Sequence, residues 1–334
     1  MKNIIDLNNL LRRSFQRLNQ ITKVYNLEYF RIILGLLFLI NFRDLSFLGD
    51  MPRTLFRPHA LNFTNLFDSW PAGEFFDFIF YSKLILAISI ILGFKTRISF
   101  LIIGVFSIIQ SGFIYSFGKI DHGILMNILP FVMAFTNSGC KKAILPDKEI
   151  KSPNLSITIL AIFITFGFFT AGLEKAFNWI DFNTNTSGFL SWFYPSFYSI
   201  GRDKLLAPLA LNFPWWLTEI MDYTAVIFEL SGLIFLLAGR KSWYTYILIA
   251  SIFHLFNTLF LNIPFQLHIL IFGIWIITPF LDKYKILVLM IPLIFYLDNL
   301  YSPLIGWILI CFLGLILMLS DKLFFANRTI KNAV

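Results

Sequence analysis

Long apolar stretches alternate with short polar connectors along the whole chain. Ten of them approach the roughly 20 residues that a helix needs to cross the hydrocarbon of a bilayer: 27–47, 76–93, 98–117, 122–137, 155–173, 217–238, 243–262, 266–281, 285–300 and 303–320. Aromatic or basic residues at their ends let some of these be shorter. Ahead of them, Ile4, Leu7, Leu11, Phe15, Leu18 and Ile21 recur at helical spacing with basic residues between, the pattern of an amphipathic helix lying on a membrane surface. The pattern predicts an all-α, polytopic integral membrane bundle of about 8–10 transmembrane helices. Its parts are a surface helix over 1–25, a main membrane region over 26–285, a C-terminal hairpin over 286–320 interrupted by Pro292, Asp298 and Pro303, and a tail over 321–334.

Composition agrees. Hydrophobic residues make up 57% of the 334 and charged residues 14%, and the mean hydropathy is +0.74. That leaves too little polar surface for a soluble globule of this size. The net charge of +8 is mostly a topology signal. Short loops rich in Lys and Arg resist translocation, and placing the N-terminus inside puts eighteen of the 27 basic residues on the cytosolic side, in six clusters. These are Lys2 to Lys23, Lys95 with Arg97, Lys141 to Lys151, Arg240 with Lys241, Lys283 with Lys285, and Lys322 to Lys331. Arg43, Arg53, Arg57, Lys119, Lys175, Arg202 and Lys204 fall outside, while Arg31 and Lys83 lie near or within spans. Both termini are therefore expected in the cytosol, across the inner (plasma) membrane, and a nucleic-acid partner has little charge left to explain it. Arg12, Arg13 and Arg17 interrupt the place where a signal peptide would need an uncharged core. Cys140 falls in a cytosolic loop and Cys311 within the last span, so no external disulfide framework is expected.

Two long loops, 48–75 and 176–215, carry Trp70, Trp179, Trp192, Trp215 and Trp216 with six prolines. Such a composition suits the headgroup region and short re-entrant or interfacial helices. The stretch 189–200 is too short and too interrupted to span, and the loops are expected to form a lid over the outer half of the bundle.

Ionisable residues inside a span cost at least a few kcal/mol, so they are usually paired, hydrated or functional. Here they gather at one depth. Asp121 and His122 open the fourth run, Glu174 and Lys175 close the fifth, Asp222 and Glu229 lie seven apart in the sixth, His254 and Asn257 three apart in the seventh, and His268 begins the eighth. Each has a plainer reading. Lys175 can snorkel beside Glu174, Asp121 and His122 can cap a helix, and Asp298 with Asn299 can simply mark a turn. Glu229 and His254 are harder to set aside because both lie well inside their runs, at depths that would let them meet. Metal binding by His122, His254, His268 and Glu229 is supported by residue type alone, without a ligand-like spacing, and no metal is expected. Paired broken spans in two repeated halves, the usual pointer to a transporter, are missing from the pattern.

The segment Thr170-Ala171-Gly172-Leu173-Glu174-Lys175 followed by Trp179, then Glu229-Leu230, then Phe253-His254 with Asn257, resembles in order and spacing the horizontally transferred transmembrane (HTTM) domain. That domain is the membrane region of the vitamin K-dependent gamma-carboxylases. The resemblance covers roughly residues 25–285. In the carboxylases a lysine matched by Lys175 is held to be the base that activates a reduced quinone of the vitamin K type, and a histidine matched by His122 to steady the substrate carbanion. The resemblance thus implies a pocket of Lys175, His122, Glu229 and His254, with Asn257, His268 and Trp179 as candidates for holding a cofactor. The large external domain of the carboxylases has no counterpart here. In length and layout the chain looks more like the short bacterial members, such as the sporulation-delaying protein B group, implicated in maturing a secreted peptide with a small membrane partner protein. Two functions stay open: chemistry on an exported peptide or a quinone at the outer face, and non-catalytic binding or chaperoning of such a peptide.

Overall fold

The structure, a computed structural model, describes the backbone of residues 2–59, 61–117, 123–181, 183, 186–263, 265–300 and 304–320, and the side chains of these except residues 2–11, 266 and 267. His122, with Lys119 and Asp121, lies outside the described residues, as do Pro303 and the basic tail at Lys322, Arg328 and Lys331. Thirteen α-helices are found in the described residues: α1 Lys2–Ile21, α2 Leu27–Asn41, α3 Gly73–Leu92, α4 Thr96–Tyr115, α5 Ile124–Ala134, α6 Leu155–Asn178, α7 Gly188–Tyr194, α8 Ala207–Ala210, α9 Trp215–Ala238, α10 Arg240–Leu261, α11 Gln266–Ile276, α12 Leu287–Leu300 and α13 Leu304–Leu319. There is no β-strand among them, only one isolated bridge between Phe94 and Leu145.

The fold is thus an all-α polytopic bundle. A helix stands at each of the ten apolar runs. Among the described residues, six segments are long and apolar enough to cross a membrane: Leu27–Asp50, Gly73–Leu92, Thr96–Tyr115, Leu155–Asn178, Trp215–Ala238 and Arg240–Leu261. Four helices at the remaining runs are shorter, and three of them have a proline within or just beyond them. Pro130 lies inside α5 and Pro292 inside α12, each removing an amide donor from the ladder. α11 gives way to turns at Ile277, two residues before Pro279, which disfavours helical backbone in the residue before it.

By internal contacts the chain forms two compact units: residues 1–24, 157–279 and 297–334, and residues 25–156 with 280–296. In the second unit α3 packs against α2 and α4, and α4 against α5. α3 ends at Gly93, whose left-handed backbone (φ 71°) turns the chain as glycine readily does. The carbonyls left over there receive a guanidinium from another helix. Arg31 of α2, wholly buried, donates to Ile90 O, to Ile91 O at 3.2 Å and to Lys142 O at 2.6 Å. A cation at a helix C-terminus also suits the helix dipole. The 48–75 loop folds as 3₁₀ turns packed on the other ends of these helices, with Leu48, Trp70, Phe76 and Phe113 in one buried cluster and Asn62 donating to Gly112 O at 2.8 Å.

In the first unit α10 packs against α1, α8, α9, α11 and α13. Its core is aromatic, with Trp243, Tyr246, Trp275 and Trp307 all fully buried. The surface helix α1 is tied in just beyond its end: the Thr22 and Thr158 hydroxyls lie 2.7 Å apart, and the Trp275 indole donates to Thr22 O at 3.0 Å. Asp298, near the end of α12, accepts with its carboxylate from the amides of Ile305 (3.1 Å) and Gly306 (2.8 Å), capping α13.

Candidate functional site

Three buried polar groups of the first unit are built on α6, α9, α10 and α11. The first is an ion pair. Lys175 stands in the last turn of α6, where a cation is favoured, and its Nζ donates to Glu229 Oε1 at 2.5 Å and Oε2 at 2.6 Å. Glu229 lies midway along α9, with its side chain 4% exposed against 21% for Lys175. Close approach of the two helices is possible because residue 172, one turn before Lys175, is glycine. A Cβ there would stand 2.7 Å from Glu229 Cβ and 3.2 Å from its carbonyl carbon.

Trp179 covers the pair, with the ammonium 5.2 Å from its ring centroid, a cation–π distance. The indole lies hard against Gly188, which has no room for a side chain. Gly188 is held in turn by Asp222, two helical turns before Glu229. The Asp222 carboxylate, fully buried, accepts from Ser187 Oγ (2.9 Å), Gly188 N (2.8 Å) and Phe189 N (2.7 Å). These amides open α7, so Asp222 caps that helix from across the fold. Its three bonds make it an anchor for the 176–215 loop over Lys175.

The second group is Tyr246, which sequence reasoning did not single out. Its hydroxyl is buried and has no hydrogen-bond partner among the described residues. It packs on Gly232, one turn beyond Glu229, where a Cβ would come within 2.7 Å of the oxygen. The signal available was a phenol inside an otherwise apolar run.

The third is a pair of imidazoles in an aromatic setting. The ring of His254 lies 5.2 Å from that of His268, 4.4 Å from Phe265, 5.4 Å from Phe272 and 5.3 Å from Trp307. Both histidines and Asn257 are buried. The Trp307 Nε1–H is also buried, without a partner among the described residues. Phe168 touches both halves of the site, 5.1 Å from Phe228, which precedes Glu229, and 5.9 Å from His254.

Lys175, Glu229 and Trp179 are thus brought together, as are His254 and His268. The partner expected for Glu229 was His254; the partner observed is Lys175. An ammonium ion answers a buried carboxylate better than a neutral ring does. Among the described residues no group of three His, Cys, Asp or Glu side chains is arranged to hold a metal ion. Chemically, the pair can hold or move one proton. Transfer from Lys175 Nζ to Glu229 turns it into a neutral amine beside a carboxylic acid, the form in which the amine can accept a further proton. No protein-family profile, curated protein or solved structure matches the chain.

Proposed function

We propose that this chain is an HTTM-type protein of the bacterial inner (plasma) membrane with both termini cytosolic, and that the Lys175–Glu229 pair is an acid–base site acting on an exported peptide at the outer face. The observation that carries this reading is the pairing itself. Lysine and glutamate sit together in apolar helices, beneath a tryptophan that a buried aspartate holds in place through the next helix, and buried ionisable groups gathered in this way are more often functional than scattered ones. Lys175 takes the proton, Glu229 orients the amine and relays its charge state, and His122 and His254 complete the set that the family resemblance implies.

A reduced quinone of the vitamin K type is the cofactor that the same resemblance implies. The residues present suit a flat ring with an oxygen: the buried Trp307 N–H offers a hydrogen bond, Phe265 and Phe272 offer ring faces, and His254, His268 and Asn257 stand around them. When bound, such a group supplies the reducing electrons of the reaction.

A second reading rests on the same geometry. Both Glu229 oxygens are already occupied by Lys175, as they are where an ion pair only ties two helices, and the protein then binds the peptide, with its small membrane partner, through the 48–75 and 176–215 loops. Arginine separates the two. Lys175→Arg keeps the charge and can bridge the carboxylate with two parallel bonds, but it does not give up its proton. Peptide maturation measured in cells, alongside the membrane level of each variant, is expected to fall at least 100-fold with Lys175→Arg. Full activity would refute the base and favour the binding reading.

Orientation has its own test. A cysteine placed at Asn185 should be labelled by an impermeant maleimide from outside, while Cys140 should react only after permeabilisation. Burial, with Glu149 and Asp147 close by, holds the Cys140 thiol above its usual pKa. Its labelling is therefore best run on the alkaline side, where more thiolate is present.

A further inference from the structure

Among its described residues, the second unit buries a cation against which no anion stands. Lys83 is the eleventh residue of the 20-residue helix α3, so it stands about 14–15 Å from either end, too deep for its stem to carry the charge to the headgroups. It does not face lipid. Phe76, Ile79, Lys83, Ala87 and Ile90 form the buried stripe of the helix, and Lys83 itself is 6% exposed. Two groups meet its Nζ: Gln110 Oε1 of α4 at 2.6 Å, and the ring of Phe42, whose centroid is 4.1 Å away. Both are neutral. Gln110 is itself 5% exposed, and its amide Nε2 has no hydrogen-bond partner among the described residues.

An ammonium has three donors, and only one of them is used here on a hydrogen-bond acceptor. The Gln110 amide adds two more. Donors of two kinds, carrying a single positive charge, therefore converge with no acceptor among the described residues for the remainder. Buried groups of this type are as a rule satisfied, and a cation in an apolar interior demands a counter-charge. We infer that Lys83 and Gln110 form a binding site for the carboxylate of a single-chain lipid, a fatty acid. One negative charge matches one ammonium, and two oxygens match the two donor groups. The stacked rings of Phe38 and Phe42 (5.2 Å) offer an apolar surface beside the ammonium for the chain. Depth argues for this source over the phosphodiester of a membrane phospholipid, which is confined to the headgroup layer. The inference is independent of the role proposed for Lys175.

The test is displacement of a fluorescent fatty acid, cis-parinaric acid, from the full-length protein in detergent. Palmitate is expected to compete saturably, with methyl palmitate and phosphatidylglycerol each at least 10-fold weaker. Lys83→Met, which keeps length and apolar volume, should weaken palmitate at least 10-fold, while Gln110→Leu should weaken it several-fold. Gln110→Glu is the decisive variant, because it supplies the missing carboxylate from within the chain. It should abolish palmitate binding and raise the melting temperature of the ligand-free protein, a gain that misfolding cannot mimic. Equal competition by the methyl ester, preference for phosphatidylglycerol, or unchanged palmitate binding by Lys83→Met would each overturn the assignment.

Discussion

Two lysines, one in each unit, lie on apolar helices, and they are compensated in opposite ways. Lys175 meets a carboxylate with both oxygens within 2.6 Å and keeps a fifth of its side chain exposed. Lys83 is more deeply buried, yet among the described residues it meets an amide oxygen and an aromatic face and no carboxylate. In the first region charge balances charge, so the energetic consequence of a change falls on whichever partner is left behind. In the second no described carboxylate faces the charge, so removing it relieves the interior of an ion and leaves only the Gln110 oxygen without its donor. The same residue type is thus a tie in one place and an open valence in the other.

The largest expected effect comes from breaking the tie. Glu229→Leu strands the Lys175 ammonium, and loss of one partner of a buried pair destabilises by about 3–5 kcal/mol. The lower end, about 3 kcal/mol, applies because Lys175 retains some contact with solvent. Denaturant midpoints of the detergent-solubilised protein would show it. Gly172→Ala is next. The added methyl meets Glu229 Cβ at less than contact distance, and overpacking of this kind typically destabilises by about 1–3 kcal/mol. It should be accompanied by loss of maturation activity as the two helices part. Smallest is Lys83→Met, within about 1 kcal/mol of wild type or more stable, as apolar replacement of buried charge often is. A Lys83→Met protein as unstable as Glu229→Leu would erase the contrast.

The helices were legible because each needs only a run of apolar residues, and Pro292 was legible as an interruption because it lacks an amide donor. Rotation and neighbourhood were not. Glu229 could be placed in depth, but depth along one helix does not say which of several neighbours it faces. The clue was Gly172, a missing side chain on the face that also bears Lys175. Asp222 read as an ionisable residue that needed a partner, and its partners proved to be backbone amides of a helix that begins 34 residues earlier in the chain, which no spacing reveals. Gln110 was passed over because a single neutral polar residue hardly disturbs an apolar run. Its importance lies wholly in what stands opposite.

Arg31 reaches its last acceptor, the carbonyl of Lys142, across 111 residues of chain. At about 5–20 residues per second of synthesis, roughly 6–22 s pass between the appearance of the guanidinium at the ribosome and that of the carbonyl that completes its bonding. For the later part of that interval the guanidinium has the Ile90 and Ile91 carbonyls of α3, 59 and 60 residues on, but not the third acceptor that completes its bonding. One side chain thus joins early and late synthesis: the last hydrogen bond of a guanidinium made with α2 waits until α3, α4 and the loop beyond α5 have been made.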